Sequence, residues 1–131
     1  MIEWLWAGLL ILAASHRATR ALSLLLALKW AANYAAFRLI AETAPPLIDI
    51  ALGTVGVIWA SRQRAGWSDV VAAGFILTLL AHAWYWLQYG AGGASALVYY
   101  WLIVGLFTAQ AAAVAWPGAL AYARALRRRW A

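Results

Sequence analysis

The apolar residues of this chain come in long blocks instead of short alternating runs. A helix needs about 20 apolar residues to cross the 30 Å hydrocarbon core of a bilayer. Inside that core every backbone N–H and C=O must be hydrogen-bonded within the protein, which a helix achieves within one segment. The sequence therefore predicts an all-α, polytopic membrane helical bundle. Its expected spans are residues 2–15, 21–41, 46–61, 70–89 and 94–116.

The composition excludes several other classes of protein. Hydrophobic residues make up 67% of the 131-residue chain and charged residues only 11%, whereas about a quarter of a soluble domain is charged. The chain contains no cysteine, so a disulfide-stapled domain and a cysteine-based metal site are ruled out. A soluble enzyme and a disordered tail are equally poor fits to such an apolar sequence.

The basic residues predict which side of the membrane each connector occupies. They cluster in the first connector, in the third connector and after the fifth block, whereas connectors 42–45 and 90–93 contain no Lys or Arg. Five spans place all these clusters on one face, which the positive-inside rule identifies as cytoplasmic. We therefore expect an inner (plasma) membrane protein with an external N-terminus and a cytoplasmic C-terminus. The basic residues concerned are Arg17, Arg20, Arg62, Arg64, Arg124, Arg127, Arg128 and Arg129.

The first apolar block is the shortest of the five. Its fourteen residues, 2–15, extend about 21 Å as a helix, so it spans only where the bilayer is thin. If the block lies in the interface instead, four crossings remain and the N-terminus is cytoplasmic. The other basic clusters stay on the cytoplasmic side under either alternative.

Polar side chains at membrane depth are the best pointers to a functional site in such a chain. Lys29 and Asn33 share one face of the second block, Thr78 and His82 share one face of the fourth, and Gln110 lies in the fifth. If they converge on the bundle axis, they form a hydrophilic path in which His82 is a proton-responsive group. The alternative is that each is satisfied locally by a neighbouring carbonyl or amide.

A second set of charged residues is expected to pair near the outer ends of two blocks. Arg38 and Glu42 are four residues apart at the end of the second block, and Asp49 lies just inside the third. We predict an Arg38–Asp49 pair across this hairpin, with Glu42 nearby, as a structural clamp rather than an ion-handling site. Under this interpretation no carboxylate lies at the depth of Lys29.

The C-terminal segment 118–131 is predicted to be a separate element from the transmembrane domain, residues 1–117. Pro117 is expected to kink or restart the helix. An apolar stripe flanked by arginines then indicates a basic amphipathic helix on an anionic inner leaflet, with contacts from Arg124, Arg127, Arg128 and Trp130. The alternative is a frayed tail that only fixes topology. Nucleic-acid binding is not expected from the net charge of +6, because the basic positions follow membrane topology.

The sequence gives no support for catalysis. His16 lies in a connector and His82 deep in the membrane, so no metal-ligand pair is visible. The four carboxylates are too scattered to form an acid–base pair, and no nucleotide-binding or hydrolase motif is present. We expect a protein that is not an enzyme and that needs neither a cofactor nor a metal.

The overall form is similar to that of phage holins and related small bacterial membrane proteins. The chain is small, multi-pass and Trp-rich, and it ends in arginines, although holins commonly have one to three spans. This resemblance is one of architecture and implies oligomerisation into a membrane lesion. The leading hypothesis is a self-associating, holin- or channel-like protein. The alternatives are an accessory or scaffold subunit of a larger membrane complex, and a small oligomeric transporter working around Lys29, Asn33 and His82.

Overall fold

The described residues form five helices, and the fold belongs to the predicted all-α class. A computed structural model describes residues 2–39, 44–89 and 95–130, and 92% of these residues are helical. The helices are α1 (Ile2–Ser15), α2 (Arg20–Leu39), α3 (Ala44–Ser61), α4 (Gly66–Tyr89) and α5 (Ala96–Trp130).

The turn between α3 and α4 is fixed by local backbone chemistry. Arg64 has a φ of 49°, a left-handed conformation that redirects the chain after α3. The Ser68 hydroxyl accepts a hydrogen bond from the Ala65 N–H at 3.2 Å, so an N–H at the start of α4 is satisfied from within the first turn. These two features end one helix and begin the next within a few residues.

The five helices form a closed ring in which consecutive helices are neighbours and α1 packs against α5. Polar side chains link several of these pairs. The Trp6 indole donates to the Thr108 hydroxyl at 2.9 Å, and the Ser23 hydroxyl donates to the Leu10 carbonyl at 2.6 Å. Such bonds are typical of helix packing in an apolar medium, where burial of apolar surface gives little driving force between helices.

Small residues, Gly56 and Ala60 among them, let α3 approach α4 closely. A methyl group at Gly56 would overlap the ring of Phe75, which is itself completely buried. Ala60 is also completely buried.

Two helices are long and apolar enough to cross a membrane, namely Gly66–Gln88 of α4 and Ala96–Arg129 of α5. The apolar segments Ile2–Ser15 and Leu47–Ser61 are shorter. Helix α2 has 20 residues but carries Arg20, Lys29 and Arg38. Length and composition therefore indicate membrane association through α4 and α5, while the full five-span arrangement stays a prediction.

Of the kink or restart expected at Pro117, the restart was wrong, because α5 runs as one helix from Ala96 to Trp130. Proline has a φ compatible with a helix, and the cost of its missing N–H is offset when the flanking turns are packed. Gly118 supplies that packing, since a Cβ at this position would lie 2.8 Å from the Leu12 carbonyl oxygen of α1. The segment from residue 118 onward is thus a continuation of α5, with residues 121–129 exposed.

Candidate functional site: a buried polar cluster

A buried carboxylate brings side chains from three other helices together. Asp49 of α3 accepts a hydrogen bond from the Asn33 amide at 2.6 Å, and its Oδ1 lies 3.3 Å from Nζ of Lys29, both on α2. Its other oxygen, Oδ2, lies 2.5 Å from Nε2 of His82 on α4. The far nitrogen of His82, Nδ1, is hydrogen-bonded to the Tyr99 hydroxyl of α5. We call these five residues the Asp49 cluster.

When His82 is neutral, the hydrogen bonds of the cluster fix which groups donate and which accept. An ionised carboxylate only accepts, so a neutral His82 carries its proton on Nε2 and donates it to Asp49. Nδ1 then accepts from the Tyr99 hydroxyl, which donates. The Tyr99 ring also stacks on Tyr85, with centroids 4.2 Å apart, and this contact holds the hydroxyl in place.

The charges of the cluster compensate one another inside the bundle. Asp49 is 1% exposed, Lys29 3% and His82 5%, so all three are almost fully removed from solvent. A buried charge is tolerated when it is paired and hydrogen-bonded. With a neutral imidazole, one ammonium and one carboxylate leave the cluster with no net charge. The Lys29 ammonium also lies 5.5 Å from the ring centroid of Phe75, within cation–π range.

The Asp49 cluster is open at one end and closed at the other. Tyr99 is half-buried, near the start of α5. Lys29, at the other end, faces the Phe75 ring and a second ring, Phe107, whose centroid is 6.0 Å from Nζ. The next buried hydroxyl along α2, Ser23, bonds to a backbone carbonyl instead of to the cluster. In the described part of the chain the polar connection therefore ends at Lys29.

The predicted Arg38–Asp49 pair was wrong. Asp49 contacts Lys29 and Asn33, while the Arg38 guanidinium lies over the ring of Tyr34 at 5.5 Å. The reason is the position of the helix ends. The prediction ended the second block at residue 41 and began the third at 46, but α2 ends at Leu39 and α3 begins at Ala44. Asp49 is consequently the sixth residue of its helix, whereas Arg38 is the second from the end of α2.

The five expected intramembrane residues are only partly brought together. Lys29, Asn33 and His82 meet at Asp49, but Thr78 donates to the Gly74 carbonyl of its own helix at 2.8 Å. The Gln110 amide donates to the Val71 carbonyl at 3.2 Å, and its Oε1 has no partner among the described residues. Thr78 and the Gln110 amide nitrogen donate to α4 backbone carbonyls instead of to the Asp49 carboxylate.

The remaining site residues lie at the ends of helices. Arg124, Arg127 and Arg128 are exposed on the last turns of α5. The predictions for Glu42 and for the Trp130 side chain fall outside the described residues.

Tyr99 was not predicted to belong to the site, and Asp49 was predicted to pair with the wrong residue. One available signal was depth, because Asn33 is seventh from the end of α2 and Asp49 is sixth from the start of α3. The long side chain of Lys29 covers the additional turn that separates it from Asn33. No spacing in the sequence links Tyr99 to His82.

Within residues 2–39, 44–89 and 95–130, no three His, Cys, Asp or Glu side chains are placed so that they could hold a metal ion. No family model, no curated protein and no solved structure matches the chain. The chemical interpretation of the Asp49 cluster therefore rests on its own geometry.

Loss of the Asp49 charge tests whether the cluster stabilises the bundle. In Asp49→Asn the Lys29 ammonium is buried without a counter-charge, so we expect the free energy of unfolding to fall by about 3 kcal/mol. Unfolding by SDS titration of the protein in mild detergent micelles measures this change.

Asp69→Asn is the matched control, because Asp69 is exposed in the first turn of α4 and the substitution is chemically identical. It is expected to cost much less. Adding Lys29→Met to Asp49→Asn should recover part of the lost stability. Equal losses in the two Asp→Asn variants would contradict this account of the cluster.

Proposed function

We propose that the chain is a non-enzymatic, multi-pass protein of the inner membrane that acts as an accessory or scaffold subunit, associating with other membrane-embedded helices. The observation that carries this proposal is that the Asp49 cluster is closed at Lys29 by the rings of Phe75 and Phe107. The ionisable groups inside the bundle compensate one another, so they leave neither a free nucleophile nor a polar path through the described chain. An association partner needs only apolar and aromatic faces.

The exterior of the bundle supports a membrane setting. Large apolar side chains project from several helices, including Trp4 at 81% exposure, Leu39 at 82% and Leu87 at 77%. Apolar surface on this scale is unfavourable in water and is expected where lipid or another membrane helix covers it. Anionic lipids are proposed partners for the exposed arginines of the α5 end, Arg124, Arg127 and Arg128.

The proposed topology places the turn around Arg64 in the cytoplasm and the segment around Gly92 outside. Because the chain has no cysteine, single-cysteine variants report accessibility without background. In intact cells a membrane-impermeant maleimide should label Gly92→Cys and leave Arg64→Cys unlabelled until the cells are opened. Labelling of both positions in intact cells, or of neither after opening, would contradict the five-span topology.

A second candidate is channel-like conduction restricted to protons. It is favoured by one observation, the hydrogen-bonded series from half-buried Tyr99 through His82 and Asp49 to Lys29. Such a series relays protons between Tyr99 and Lys29 without a water-filled pore. The aromatic closure beyond Lys29 weighs against a wide, holin-like lesion or a transporter with two open states.

Expression in a bacterial host separates these proposals. An accessory subunit leaves the membrane tight both to protons and to an impermeant dye, and it runs in mild detergent as an assembly larger than one 14.3 kDa chain. Membrane potential, internal pH, dye entry and the mass of the extracted protein are measured together.

Proton conduction gives a different result in the same experiment. Internal pH then falls without dye entry, and His82→Gln abolishes the fall, while the connector variant His16→Gln retains it. Dye entry would support the holin-like hypothesis and contradict both proposals. A tight membrane combined with a strictly monomeric protein would contradict the accessory-subunit proposal.

A further inference from the structure

The last turns of α3 form an open groove with two chemically different halves. The groove has a volume of about 480 Å³ and is lined by Val55, Ile58, Trp59, Arg62 and Gln63. Four of these positions, 55, 58, 59 and 62, follow the spacing that places residues on one helix face. The groove is therefore a continuous strip from an apolar helix surface to a polar helix end.

The apolar half of the groove is accessible. Val55 is 47% exposed, Ile58 48% and Trp59 41%. From residue 55 to residue 62 the strip is roughly 10 Å long at 1.5 Å per residue. That length matches the upper part of an acyl chain lying against a helix.

The polar half carries donors without partners. Neither the Arg62 guanidinium nor the Gln63 amide has a hydrogen-bond or ion-pair partner in the part of the chain that the structure describes. Their backbone N–H groups are already used, by the Trp59 and Ala60 carbonyls, so the side chains are the donors on offer. The five lining residues include no carboxylate.

We propose that this groove binds one anionic phospholipid. Its phosphate lies between Arg62 and Gln63, where a guanidinium donates two parallel hydrogen bonds. Its glycerol region lies beside Trp59, a residue type that favours the membrane interface, and an acyl chain lies along Ile58 and Val55. The proposal rests on the proposed function for the presence of a bilayer around α3.

The charge of the groove selects the lipid class. Arg62 contributes one positive charge, which a headgroup of net charge −1, such as phosphatidylglycerol, neutralises. A zwitterionic headgroup adds an ammonium or choline cation, for which the lining residues offer no counter-charge. The site therefore prefers phosphatidylglycerol to phosphatidylcholine.

Native mass spectrometry of the protein released from mixed vesicles of phosphatidylglycerol and phosphatidylcholine tests this preference. The wild type should retain one phosphatidylglycerol, and Arg62→Gln should weaken that retention about tenfold. Arg64→Gln is the matched control, because it removes the same charge two residues away from a side chain that does not line the groove. Trp59→Ala should weaken retention without changing the net charge.

Three other outcomes would contradict the proposed lipid site. Equal retention by the Arg62 and Arg64 variants means general electrostatic attraction, and equal retention of the two lipids means no headgroup selection. A disulfide between two copies of Ile58→Cys, formed in place of lipid retention, means that a second copy covers the groove.

Alkaline extraction of the membranes distinguishes the two proposals. A wild type that stays in the membrane while the lipid test fails refutes only the site, whereas its release refutes the proposed function as well.

Discussion

The carboxylate of Asp49 is the interaction on which the arrangement of the helices depends. It provides the only negative charge that the described residues place beside Lys29, and its two oxygens contact α2 on one side and α4 on the other. His82 extends the connection to Tyr99 of α5. A charge buried without a partner is expensive in an apolar medium, so each alternative packing of these helices loses more than the contacts of a single side chain.

The rest of the bundle follows the same physical rule with neutral groups. Where a polar side chain lies inside, it donates to a hydroxyl or to a backbone carbonyl, as Trp6, Ser23 and Gln110 do across helix pairs. Hydrogen bonds of this kind fix which helices are neighbours, and glycine at position 56 then sets how closely α3 and α4 approach. The interior is specified by polar pairing, while many large apolar side chains lie on the exterior.

Much of the fold could be predicted from the sequence, because apolar blocks and turn residues define where helices form. The five helices begin close to the predicted blocks, but α5 runs fourteen residues past the predicted end of the fifth block. The facing ends of α2 and α3 each differ from the prediction by two residues, and that difference decided the pairing at Asp49. A shift of two residues in a helix end rotates the expected direction of a side chain by about half a turn. A hydropathy pattern does not locate helix ends that closely. Likewise, the continuation of α5 through Pro117 depends on its packing beside Leu12 of α1, a tertiary contact without a local signal.

The central claim is that Asp49 meets Lys29 and Asn33 instead of Arg38. Cysteine pairs test it directly, because the natural chain contains no cysteine that would compete. One double variant carries Asn33→Cys with Asp49→Cys, and the other carries Arg38→Cys with Asp49→Cys. Both lose the carboxylate at position 49, and they differ only in the position of the second cysteine along α2. Under mild oxidation in membranes, the account predicts a rapid intramolecular disulfide in the 33–49 pair and little or none in the 38–49 pair. Rapid disulfide formation in the 38–49 pair, with none in the 33–49 pair, would contradict it.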